Sequence, residues 1–216
     1  MAGILLKVCG MKFKDNIEAV STVEPTYMGF IFYQKSARYA RQILDPQHLN
    51  NLSKAIVKVG VFVNSSTVEI DIICTEYGIK TIQLHGDELP EQCLELKQKG
   101  YKVIKAFSMV SGFDFLSLEP YIHACDFFLF DTKGENYGGT GRSFDWEILR
   151  DYNNALPFFI SGGIDGNNLE KLKSLTGLNI HAVDINSKFE IEPGLKEVSK
   201  IKLFKEQLDA LNSYKS

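Results

Sequence analysis

An α/β chain closing into a single (β/α)8 TIM barrel over residues 1–216 is the fold class this sequence predicts, on three observations. Eight short runs rich in β-branched and aromatic residues recur, their starts spaced by 21 to 31 residues. Most gaps between them hold a segment of helical period, the mark of a βα repeat. The length, 216 residues, suits one barrel of roughly 200 to 250 and supports a sizeable core without metals or disulfides. No linker, low-complexity stretch or shift of composition marks a second domain.

In chain order the strands are expected at Ile4 to Cys9, Tyr27 to Tyr33, Ala55 to Val63, Thr81 to Leu84, Lys102 to Phe107, Asp126 to Phe130, Pro157 to Ile160 and Ile180 to Ile185. Runs such as Phe127-Phe128-Leu129-Phe130 are apolar on both faces, as a strand must be when helices cover one side and a packed interior fills the other. Eight parallel strands of this kind close more naturally than they lie open. Helix starts are marked by Asp45 before Pro46, by Ser66 or Thr67 with acids following, by Asp145 ahead of Trp146-Glu147, and by Asn167-Asn168 ahead of Leu169. Gly78 and Gly100 end two helices before the next strand. The fifth helix, within Phe113 to Ala124, contains Pro120 and must be short or broken. The last spans Gly194 to Leu211, with apolar residues at 195, 198, 201, 204, 208 and 211.

With 24 Lys+Arg against 27 Asp+Glu the formal net charge is −3, so no global basic field attracts nucleic acid or an anionic membrane. An anionic ligand must be held by local groups. No run of 18 apolar residues and no signal-peptide pattern occurs, which leads us to expect a cytoplasmic protein. Cys9, Cys74, Cys93 and Cys125 show no metal-like spacing and are expected as free thiols. A barrel of this size is stable alone, and a monomer or a homodimer is equally compatible with the sequence.

In barrels of this class the catalytic face lies at the C-terminal ends of the strands. Those ends carry Cys9-Gly10, Gln34 to Arg38, Asn64, Gln83-Leu84-His85-Gly86, Asp131-Thr132-Lys133, Ser161-Gly162-Gly163 and Asp184-Ile185-Asn186-Ser187. Polar groups thus gather at one end. Phosphates are often held after strands 7 and 8 of such barrels, which here supply Gly162, Gly163, Asn186 and Ser187, with a helix N-terminus expected to add favourable charge. Cys9 lies two residues beyond Lys7, on the same face of a strand. A neighbouring lysine can depress a thiol pKa and suit it to proton abstraction. The plainer reading is a small buried Cys9, with Lys7 paired to an acid such as Asp184. Asp131 ends strand 6 after four apolar residues, a partly desolvated setting suited to a general acid or, alternatively, a loop cap. Arg38 could hold a carboxylate bidentately or lie solvated on the surface, and His85 is read as a structural histidine or a site residue. The loop Gly134 to Gly141, with four glycines in eight residues, reads as a flap over the site and not as a dinucleotide fingerprint.

Taken together these motifs resemble the phosphoribosylanthranilate isomerase family. The resemblance rests on Lys7-Val8-Cys9-Gly10-Met11, Gly29 to Tyr33 with Lys35 to Arg38, Val59 to Val63, Gln83 to Gly86, Phe130-Asp131-Thr132, Tyr137 to Gly141 with Phe144-Asp145-Trp146, Ser161 to Ile164, and Val183 to Glu190 with Pro193-Gly194. It covers nearly the whole chain. It implies an Amadori rearrangement of a phosphoribosylated anthranilate in tryptophan biosynthesis, without metal or cofactor, on a small-molecule phosphosugar substrate. Cys9 then matches the family's general base and Asp131 its general acid. Arg38 matches the residue that holds the anthranilate carboxylate, and Gly162, Gly163, Asp184, Asn186 and Ser187 match the phosphate region. His85 and Lys7 join the substrate-binding set. One departure stands out: many members have Ser-Ser-Gly after the strand 8 aspartate where this chain has Asn186-Ser187-Lys188, so Lys188 is expected to touch phosphate or to turn outward. Two other readings remain open here, a related sugar-phosphate isomerase or synthase and a barrel that binds its ligand without turnover. Retention of both Cys9 and Asp131 weighs against the binder.

Overall fold

In the computed structural model, residues 3–132, 146–153, 155–175 and 177–213 are described. Eight strands form a closed, all-parallel barrel: β1 (Leu5–Val8), β2 (Tyr27–Ile31), β3 (Val57–Phe62), β4 (Thr81–Leu84), β5 (Lys102–Met109), β6 (Phe127–Thr132), β7 (Phe158–Ile160) and β8 (Ile180–Ile185). Each pairs with its sequence neighbour, and β8 returns to β1 with Lys7 opposite Asp184. The predicted strands therefore all form, with ends displaced by a few residues.

Strand period divides the side chains between two cores. One set points inward, where Tyr27, Val59, Ile104, Ala106, Leu129, Phe159 and Ala182 pack into the barrel interior. The other set, including Leu6, Met28, Phe62, Ile82, Phe128 and Phe130, packs outward against the helical layer. Parallel strands buried on both faces read as near-continuous apolar runs for this reason.

Four helices form in the first half of the chain, and the second and third of them start at the expected caps. They are α1 (Lys14–Ser21), α2 (Pro46–Asn50), α3 (Thr67–Tyr77) and α4 (Pro90–Gln98). Asp45 accepts from the Gln47 N–H, Ser66 accepts from the Glu69 N–H, and Gly78 ends α3 at φ 60°. The fifth helix is reduced to a 3-10 segment, Phe115–Tyr121, around Pro120. Its successor is a second 3-10 segment, Trp146–Asp151. The glycine-rich loop 134–141 and the cap expected at Asp145 lie outside the described residues.

Two expectations are corrected. The helix expected after Asn167-Asn168 shrinks to the four residues of α5 (Lys171–Ser174), because the preceding asparagine is used elsewhere. Asn168 Nδ2 donates to the Gly163 carbonyl at 2.6 Å, its Oδ1 accepts from the Asp165 N–H at 3.0 Å, and the Asp165 carboxylate caps Asn167 at 2.8 Å. These bonds fix a turn instead of a helical start. The last helix begins at Val198, not Gly194: β9 (Glu190–Glu192) and β10 (Leu195–Lys196) form a small antiparallel pair before α6 (Val198–Ser213). Gly194 turns the chain at φ 91°, and the Asn16 side chain of α1 clasps the backbone of Lys196, donating to its carbonyl at 2.9 Å and accepting from its N–H at 2.8 Å. Asn212 of α6 clasps Ile4 beside β1 in the same manner, at 2.8 and 3.0 Å. No helix among the described residues is long and apolar enough to cross a membrane.

Candidate active site

The inward-pointing side chains that close the interior also build the site, one layer further along each strand. The alternation that sends Leu5 and Leu129 into the interior carries on to Cys9 and Asp131 at the rim, as it carries Ala182 on to Asp184. A cavity of about 1020 Å³, its mouth included, opens there and is lined by Cys9, Arg38, His85, Asp131, Gly162, Gly163, Asp184, Asn186, Ser187 and Lys188, among others. Nine of the ten site residues expected from sequence thus meet at one cavity. The tenth, Lys7, is fully buried beneath it.

Lys7 Nζ donates to Asp184 Oδ2 at 2.7 Å, the pairing that the β1–β8 register dictates. Burial pulls the Lys7 pKa down, but Asp184 and the Cys9 thiol more than offset it, so the ammonium is held charged. The expectation of a depressed Cys9 pKa is corrected. Burial pushes the thiol up by more than Lys7 and Lys196 pull it down, and Asp184 opposes the thiolate further. Room for the sulfur comes from Gly29 on the next strand, where a Cβ would stand 2.7 Å from Cys9 Sγ. Among the described residues the second Asp184 oxygen, Oδ1, accepts no hydrogen bond, and the residue faces the cavity.

Across the mouth, His85 Nε2 stands 3.4 Å from Asp131 Oδ2. Gln83 Nε2 lies 2.7 Å from His85 Nδ1; with the amide donating, a neutral imidazole carries its proton on Nε2 and turns it toward Asp131. The loop that bears His85 is braced from behind. Glu88 accepts from the N–H groups of Asn64 and Gly86 at 2.8 and 2.9 Å. Lys105 reaches the carbonyls of Leu84, Gly86 and Ala106 and the Glu88 carboxylate.

Arg38 does not lie solvated. It forms a bidentate pair with Glu190, Nε to Oε1 at 2.9 Å and Nη2 to Oε2 at 2.7 Å. Lys196 Nζ joins at 2.7 Å and also donates to Asn186 Oδ1 at 2.7 Å. Burial raises the Glu190 carboxyl, but Arg38 and Lys196 more than offset this and hold it below its ordinary value. Gly10, at φ 77°, admits this cluster: a Cβ there would stand 2.8 Å from both Arg38 Cδ and Asn186 Oδ1.

The phosphate region takes a different form from the one expected. With α5 starting only at Lys171, no helix N-terminus follows the glycine turn directly. Gly162 and Gly163 instead adopt φ 86° and 68°, a conformation side chains resist. The N–H groups of Gly162, Gly163, Ser187 and Lys188 donate to no acceptor among the described residues. The Lys188 side chain is exposed at the mouth of the cavity. Among the described residues no group of three or more His, Cys, Asp or Glu side chains is disposed to hold a metal.

Sequence reasoning missed Glu190, Lys196, Gln83 and the Lys105–Glu88 pair. A signal existed for Lys105, a cation in the middle of an apolar strand. Glu190 was visible only as part of a motif, since its partner lies 152 positions away.

The sequence model of a family described as N-(5'-phosphoribosyl)anthranilate (PRA) isomerase matches residues 6–207. Among curated relatives, N-(5'-phosphoribosyl)anthranilate isomerase of Parabacteroides distasonis is 40% identical over 206 residues, covering 95% of this chain and 93% of the relative. Among solved structures, phosphoribosyl anthranilate isomerase from Thermotoga maritima superposes with a TM-score of 0.81 at 28% identity, covering 96% of this chain and 99% of that one. A phosphoribosyl anthranilate isomerase in complex with reduced 1-(o-carboxyphenylamino)-1-deoxyribulose 5-phosphate gives 0.78 at 25% identity, covering 96% and 99%.

Proposed function

The chain belongs to the N-(5'-phosphoribosyl)anthranilate isomerase family, enzymes of tryptophan biosynthesis, and from that premise we propose that it rearranges its phosphosugar substrate with Cys9 as general base and Asp131 as general acid. The observation that carries this reading is that the two side chains share one cavity from strands three apart round the barrel. A thiol and a carboxylate so disposed can act on different atoms of one small molecule. In this reading the whole chain, residues 1–216, acts as one barrel domain.

Asp131 gives its proton to the furanose ring oxygen as the C1–O bond breaks, and the anilinic nitrogen lone pair forms the iminium. Cys9, as thiolate, takes the proton from C2, and the C–H electron pair flows into the iminium to give an enolamine. Proton return to C1 with loss of the C2 hydroxyl proton then leaves the ketone. The iminium is the electron sink, so an acid and a base suffice. His85, with its Nε2–H toward Asp131, steadies that carboxyl in both protonation states. Lys7 favours the thiolate that Cys9 must become.

The anthranilate carboxylate goes to Arg38, the phosphate to the N–H groups of Gly162, Gly163 and Ser187 with Asn186 beside them, and Asp184 Oδ1 accepts from a sugar hydroxyl. The unclaimed N–H groups of the two rim loops support the phosphate assignment. Lys188, exposed at the mouth, adds charge from outside.

The test is the decay of phosphoribosylanthranilate fluorescence, with substrate generated in place, for wild type, Cys9→Ala and Asp131→Asn. Each variant is expected to lose at least about 100-fold in kcat, the range of general acid–base catalysis, while remaining folded. Folded wild type that does not accelerate the decay overturns the reaction. Retained turnover in either variant overturns that residue's role.

A further inference from the structure

We propose that Glu190 is a positioning residue that fixes which edge of the Arg38 guanidinium is offered to the substrate carboxylate. The inference rests on the reading of Arg38 given above and deepens it. A guanidinium has two edges able to take a carboxylate in parallel hydrogen bonds, the Nε–Nη2 side and the Nη1–Nη2 end. Glu190 occupies the first of them completely, with Nε to Oε1 at 2.9 Å, Nε to Oε2 at 3.1 Å and Nη2 to Oε2 at 2.7 Å. Nη1 donates to no acceptor among the described residues, and Arg38 lines the cavity. A substrate carboxylate is therefore taken end-on.

The surroundings make the arrangement stiff. Glu190 and Lys196 side chains are 5% and 0% exposed, and Glu190 Oε1 also accepts from the Gly194 N–H at 3.0 Å. The turn at Gly194 and the clasp of Asn16 on the Lys196 backbone fix the hairpin that carries both residues. Lys196 holds the same carboxylate from the other side, its Nζ donating to Glu190 Oε1 at 2.7 Å, while burial pulls the Lys196 pKa down by more than Glu190 raises it. A guanidinium held in one rotamer binds a carboxylate without first giving up its own freedom, so the contribution of Glu190 is to ligand binding and not to proton transfer.

The experiment is a double-mutant cycle read by calorimetry with reduced 1-(o-carboxyphenylamino)-1-deoxyribulose 5-phosphate, on wild type, Glu190→Gln, Arg38→Ala and the double variant. Glu190→Gln is expected to weaken binding about tenfold with Arg38 present and less than about twofold without it, because the contact it serves is then already gone. Kinetics run in parallel should show KM raised by a similar factor and kcat within about threefold. Should Glu190→Gln fail to fold, Glu190→Met combined with Lys196→Met removes both buried charges together and is expected to weaken the analogue likewise. Equal weakening in both Arg38 backgrounds overturns the proposal, as does undiminished binding in a folded variant or a loss confined to kcat. Wild type that binds the analogue without turning over substrate defeats the reaction assigned above, and the cycle of binding constants still decides the role of Glu190. Wild type that does not bind the analogue defeats both.

Discussion

Cys9 must lose a proton to act as a base, and its surroundings oppose that loss more than they help it. Burial is the largest influence, Lys7 and Lys196 offset part of it, and the thiol pKa lies above its ordinary value. Its thiolate therefore accumulates as pH rises past the ordinary thiol range, near 8.5. The kcat/KM profile, which reports the free enzyme, is expected to go on climbing through pH 8 to 9, and the rate of Cys9 alkylation by iodoacetamide should climb with it. A profile flat from pH 7 upward contradicts the assignment. Cys9 and Asp131 were legible in the sequence because strand alternation alone decides which way they face. The sign of the Cys9 shift was not, since it depends on how completely β2 and β8 enclose the sulfur. Arg38 was legible as a residue of the strand 2 rim, but its partner Glu190 sits in a hairpin that is tied to the distant Asn16.

The loops, as elements, owe their shape to buried ions behind the rim. Lys105, 2% exposed, ties the end of β4 to Glu88 and to three carbonyls. Lys105→Met leaves the Glu88 carboxylate buried without its cation and is expected to cost about 3–5 kcal/mol in urea unfolding. A loss below about 1 kcal/mol would show that the pair adds little. Since His85 rides on this loop, the same variant should also lower kcat, with the fluorescence assay as the check. The βα repeat was legible from periodicity, and so were the caps at Asp45 and Ser66 and the break at Pro120. The shortening of α5 was not, because Asn168 reads equally well as a helix cap and as the side chain that closes the turn after Gly163.

Over the whole molecule, chemistry occupies one end of the barrel and packing the other. At the packed end His181 lies among the rings of Tyr27, Phe127 and Phe159, with its Nε2 2.7 Å from the Tyr27 hydroxyl. Burial lowers its pKa, so the native state favours the neutral ring while the unfolded chain takes up a proton from about pH 6.5 downward. The stability due to this burial is complete above that pH and is lost as pH falls through the lowered native value. Thermal unfolding at pH 7.5 and 5.5 should therefore show a larger acid loss for wild type than for His181→Gln, with kcat at pH 7.5 unchanged by the substitution. Equal losses would mean that His181 titrates as it does in the unfolded chain. The barrel and the gathering of polar groups at one end were legible from the count, spacing and ends of the strands, whereas the cluster around His181 at the other end became clear only with the register, which sets Tyr27, Phe127, Phe159 and His181 side by side. The clasps that complete the ring join residues far apart in the chain: Lys7 with Asp184, Asn16 with Lys196, Arg38 with Glu190 and Ile4 with Asn212. A nascent chain that has reached only β7 on the ribosome holds a lysine with no acid opposite it and an arginine with no anchor. Such a fragment has little to gain by closing. Activity during synthesis should thus appear abruptly, once the segment from β8 to Asn212 has emerged, making turnover a timer for the closing of the ring.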